Sequence, residues 1–122
     1  MIRKLPLTAA LLALALAAAA FAQGQKRPAK INGFLVDVMC ASAHGTDNEA
    51  KAHETSCALM PACEKSGYAV VSKDTVYKLD EQGNKLAAEL LRTTKTKKGV
   101  GVTVEGTLAG DTLNVDTLAE AR

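Results

Sequence analysis

The stretch that decides the fold is Val100-Gly101-Val102-Thr103-Val104-Glu105-Gly106-Thr107-Leu108-Ala109-Gly110-Asp111-Thr112-Leu113-Asn114-Val115-Asp116-Thr117-Leu118. Val100, Val102 and Val104 alternate with small or polar residues, Ala109-Gly110-Asp111 supplies a turn, and alternation resumes from Thr112 to Leu118. Period two on both sides of a turn is the pattern of a β-hairpin with one apolar face. Just upstream the period changes. Leu86, Leu90 and Leu91 share one stripe of a helix predicted over residues 82–93, with Lys85, Glu89 and Arg92 on the wet side. Before that helix, Tyr68–Ser72 and Thr75–Leu79 are rich in Val and Tyr and flank the turn Ser72-Lys73-Asp74, so they read as a second hairpin.

Further upstream, Phe34, Val36 and Val38 alternate with Leu35, Asp37 and Met39, which predicts a first strand over residues 32–39. A polar segment, residues 41–55, follows it. Within that segment Thr46 and Glu49 have the spacing of a capping box, so a helical turn is expected there. Residues 56–65 are expected to be partly helical, with Pro61 breaking or restarting the helix and Gly67 capping it. The order is strand, mixed segment, strand, strand, helix, strand, strand. This predicts a mainly β domain with short helices (α+β), a small five-stranded OB-like barrel that leaves few exposed edges.

The chain has 122 residues, a net charge of +2 and 48% hydrophobic residues. Those averages mix two parts. Residues 1–22 run from Arg3 and Lys4 through the apolar stretch Ala9 to Phe21 to a small-residue end at Ala20-Phe21-Ala22, the order of a cleavable secretory signal. Removing Arg3 and Lys4 from 15 basic residues leaves 13, against 13 acidic ones, so the exported domain is neutral. Neutrality argues against a nucleic acid partner. No second apolar run reaches membrane-spanning length, so no membrane span is expected after cleavage. The expected location is the periplasm or the exterior. Residues 23–30, polar and basic with Pro28, are expected to be a flexible leader, and residues 31–122 one domain with a Cys/His insert at 40–67.

The chemistry-bearing residues cluster. Cys40, Cys57 and Cys63 lie in that insert, and His44 and His53 fall between the first two cysteines. In an exported chain, paired cysteines read first as a disulfide, with Cys40, Cys57 and Cys63 all candidates. Closing such a loop contributes about 3 kcal/mol, which matters for a small aliphatic core. Any single bridge leaves one thiol over. A second reading is a metal site on Cys40, His44, His53, Cys57 and Cys63, because thiolate and imidazole together suit zinc or copper. His53 and Cys57 would share a helical face, and Met39 and Met60 add thioethers that favour reduced copper. A thiol redox enzyme is a third reading, although the chain has no Cys-x-x-Cys. Asp37, three residues before Cys40, reads as a cap or hydrogen-bond acceptor where the first strand ends. Lys95-Thr96-Lys97-Lys98 reads as a solvated loop. There is no Gly-x-Ser-x-Gly, phosphate loop or His-Glu-x-x-His, so a noncatalytic domain is favoured.

Three blocks carry a wider likeness: residues 33–40 through Asp37 to Cys40, residues 57–71 with Cys57-Ala58-Leu59-Met60-Pro61-Ala62-Cys63, and residues 102–115. In these the chain resembles a family of small exported bacterial proteins of unknown function with an OB-like barrel. The resemblance implies that fold and an exported location, and it supplies no substrate. The first functional expectation is therefore a disulfide-stapled domain that binds a small ligand or another envelope protein.

Overall fold

A computed structural model describes residues 26–121 of the chain. The expected signal segment, residues 1–22, lies outside the described residues.

Strand β1 (Arg27–Asp37) pairs antiparallel with two different partners along its length. Its first part, Arg27 to Phe34, runs beside β4 (Gly101–Ala109), and its last part, Phe34 to Asp37, beside β2 (Tyr68–Ser72). β2 forms a tight hairpin with β3 (Thr75–Leu79), whose turn holds Lys73 at φ 50° and Asp74 at φ 59°, the left-handed pair that matches strand twist. β4 and β5 (Thr112–Glu120) form the long hairpin expected from residues 100–118. A short parallel pairing, Lys78 with Thr112 and Leu79 with Leu113, joins β3 to β5 and closes the five strands into a ring in the order β1, β2, β3, β5, β4. The architecture is thus mixed, a closed five-stranded sheet with short helices.

Four short helices occupy the insert between β1 and β2: α1 (Val38–Ala41), α2 (Asp47–Lys51), α3 (Thr55–Ala58) and α4 (Pro61–Ser66). The longer α5 (Glu81–Thr93) lies between β3 and β4. Asp80 caps α5 by accepting from the Gly83 amide at 2.9 Å, and the same oxygen accepts from the Val115 amide at 3.1 Å, fixing the helix against β5. No described helix is long and apolar enough to cross a membrane.

The apolar side chains divide into two clusters on opposite faces of the sheet. Leu35, Tyr68, Val70, Leu79, Val102, Val104 and Leu113 fill the interior with Ala87 and Leu91 of α5. Val36, Ala69 and Val71 pack outward beneath Ala41 and Ala50 of the insert. The end of β1 is therefore covered on both faces, and Leu35, Val36 and Asp37 are all buried.

Two expected boundaries move. Arg27 to Lys30, read as flexible leader, belong to β1 and pair with Leu108 to Glu105 of β4. Pro28 is accommodated because β1 has a neighbour on one side only at that point, the edge position to which proline is confined in sheets. Val38 and Met39, read as strand, start helix α1 instead. The Asp37 carboxylate accepts from the Cys40 amide at 2.9 Å, and this cap outweighs the alternation of Val36 and Val38. The expected capping box at Thr46 is formed, Pro61 restarts the helix as α4, and Gly67 ends it at φ 86°.

Candidate metal site at the end of strand β1

Asp37 is the last residue of β1 and is fully buried. Burying a carboxylate is costly unless its oxygens are satisfied. Here Oδ2 accepts from the Cys40 amide at 2.9 Å, and Oδ1 lies 2.9 Å from Nε2 of His53. His53 is itself only 5% exposed.

The His53 backbone is held from outside the insert. Its carbonyl accepts from the Gly99 amide at 2.9 Å, and the next buried residue, Thr55, donates from its amide to Lys97 at 2.9 Å and from its hydroxyl to Thr96 at 2.8 Å. Glu54 and Lys98 complete this contact as an isolated bridge. The loop Lys95-Thr96-Lys97-Lys98 is solvated at its lysines, yet its backbone mounts His53. On the other side, the α2 terminus is tied to the β2–β3 turn, where the Asp47 amide donates to Asp74 at 2.8 Å.

Cys63, on the first turn of α4, is the buried thiol of the three. Ser66 links α4 to α1: its hydroxyl donates to the Cys63 carbonyl at 2.6 Å and accepts from the Met39 amide at 3.2 Å. The Val38 amide also donates to the Gly67 carbonyl at 2.9 Å. These bonds bring Cys40 and Cys63 together although they are far apart in sequence. One carboxylate oxygen of Asp37 and the sulphurs of Cys40 and Cys63 all lie within 4.8 Å of one another. The three residues form a group that can hold a metal ion.

The other expected ligands fall outside that group. Cys57, on α3, is half-buried. His53 precedes α3 rather than sharing a helical face with Cys57, and it meets the group through Asp37. His44 stacks on His53 with ring centroids 4.8 Å apart and a tilt of 47°, and its Nδ1 is buried without a hydrogen-bond partner. Asp37, expected as a cap or hydrogen-bond acceptor, is both and also joins this group. Its place in the group follows from the same Asp-x-x-Cys spacing, because a helix cap sets its carboxylate beside the first turn that carries Cys40.

All three thiols are free. Burial, reinforced by the hydrogen bond and negative charge of Asp37, pushes the Cys40 thiol up to about 11. Burial and then the Asp37 charge also raise Cys63. Burial, again with Asp37 nearby, lifts the Tyr68 phenol to about 12 while its hydroxyl donates to the Ala58 carbonyl at 2.9 Å. These directions oppose a redox enzyme, whose attacking thiol needs a lowered value. In the metal-free chain, Cys40 alkylation by iodoacetamide is expected to keep accelerating from pH 9 towards pH 11, because only the thiolate reacts. The unfolded thiol loses its proton first, so the folded state loses stability as pH rises through this window. Peptide mapping of the alkylated chain measures the rate, and a plateau at or below pH 9 would contradict the assignment.

Two protonated thiols beside a buried carboxylate form a site rich in lone pairs and poor in positive charge. A bound cation would displace the thiol protons and convert both sulphurs to strong ligands. No family model, no curated protein and no solved structure matches the chain.

Proposed function

We propose that this chain is an exported, noncatalytic OB-like domain that binds a soft metal ion, zinc or copper, through Cys40 and Cys63 beside Asp37. The observation that carries the proposal is the convergence of these three groups within 4.8 Å from β1, α1 and α4. Thiolate donors select soft or borderline ions over magnesium and calcium. The OB-like reading draws on the ring order, on the parallel β3–β5 closure and on the helix between β3 and β4. Export draws on the pattern of residues 1–22.

The same proximity favours a second reading, a Cys40–Cys63 disulfide that staples α1 to α4 and leaves Cys57 free. Metal competition separates the two. The reduced full chain should take one zinc ion from a chromophoric chelator. Cys40→Ser or Cys63→Ser should weaken that affinity more than about 100-fold, while Cys57→Ser should leave it within about twofold. A reduced chain that takes no metal, and that re-forms a Cys40–Cys63 bridge in air, would favour the staple instead.

A further inference from the structure

We infer that the ion held by Cys40 and Cys63 is monovalent copper, received through the exposed thioethers of Met39 and Met60; this rests on the metal reading above. The donors of the group differ in kind. Both Asp37 oxygens already accept hydrogen bonds, from the Cys40 amide and from His53, and His53 Nε2 is committed to the same contact. The carboxylate is a hard donor that shares its oxygens with these hydrogen bonds, so the two sulphurs are the soft donors of the group. Structural zinc requires four ligands. Monovalent copper has a filled shell and a preference for soft sulphur, and it is satisfied by two thiolates.

Among the described residues, the exposed large hydrophobic side chains are two methionines, Met39 at 56% and Met60 at 55%. Both bracket the helix that carries Cys63. The Met39 amide is bonded to Ser66, whose hydroxyl holds the Cys63 carbonyl, and Met60 is the N-cap residue of α4. The Met60 amide donates to the Cys57 carbonyl at 3.2 Å, joining the start of α4 to the end of α3. Thioethers bind monovalent copper and bind zinc poorly, so exposed methionines at the two ends of this helix favour copper over zinc. On binding, two S–Cu bonds form, the two thiol protons leave to water, and copper stays monovalent.

The test presents the reduced full chain, without oxygen, with monovalent copper as its bathocuproine disulfonate complex, and separately with zinc. The expected result is one copper per chain, not displaced by excess zinc. The double variant Met39→Leu/Met60→Leu should reach the same copper content about tenfold more slowly, with zinc uptake unchanged. Transfer at the wild-type rate would overturn the role of the methionines. Zinc uptake with copper left on the chelator would overturn the copper assignment while keeping the metal site. Uptake of neither ion would remove the metal reading itself.

Discussion

Asp37→Ala is expected to cost about 3–5 kcal/mol of folding stability, the loss typical of breaking a buried, hydrogen-bonded pair from one side. The fully buried carboxylate serves two partners at once, the Cys40 amide and His53 Nε2, each at 2.9 Å. Removing it leaves a buried imidazole without its acceptor and uncaps α1. A small domain has roughly 5–15 kcal/mol to lose, so the variant should be near its unfolding limit at room temperature. Asp37→Asn separates the structural and chemical roles. Asparagine is a good cap of the same shape, so most stability should return, whereas the lost negative charge should still weaken metal affinity by about 10–100-fold. Urea unfolding of the three chains, combined with chelator competition, measures both quantities. An Asp37→Ala chain within about 1 kcal/mol of wild type would show that the buried contact contributes little.

Gly33→Ala is expected to be comparably severe for a different reason. Gly33 immediately precedes Phe34, the residue at which β1 passes from β4 to β2 and which faces Gly101 and Val71 together. A Cβ at Gly33 would run into the Val71 carbonyl oxygen and come within 2.8 Å of Val70 Cγ1 and 2.9 Å of the Val71 carbonyl carbon. The obstacle is mostly backbone, so no change of rotamer relieves it, and β1 must separate from β2 near the segment that positions Asp37. A loss of about 3 kcal/mol is expected, at the upper end of overpacking effects. Gly101→Ala is the control. There the nearest atom to a new Cβ is 3.7 Å away, an ordinary contact, and stability should stay within about 1 kcal/mol. Equal melting temperatures for Gly33→Ala and wild type would mean that the close approach of β1 to β2 is not required for closure.

These two residues show what can be read from a sequence and what cannot. The β4–β5 and β2–β3 hairpins were legible because period-two apolar residues and turn residues agree locally, and α5 because Leu86, Leu90 and Leu91 repeat at helical spacing. The start of β1 was not, because Arg27 to Lys30 have a neighbour on one side only and keep a polar composition. Its end falls at Asp37 rather than the expected Met39, because a cap formed by Asp37 competes with alternation. Of the site, the gathering of cysteines and histidines into one insert was visible. The choice of Cys40 and Cys63 was not, since it depends on the Ser66 link between α1 and α4. The position of His53 depends on backbone bonds to Thr96, Lys97 and Gly99, residues more than forty positions later whose exposed lysines suggest only a solvated loop.

Thiol footprinting of the full chain, with and without one equivalent of metal, tests the central assignment most directly. With copper or zinc bound, Cys40 and Cys63 should be protected from alkylation while Cys57 stays reactive. Protection of Cys57 with Cys40 left reactive would contradict the site built on Asp37, Cys40 and Cys63.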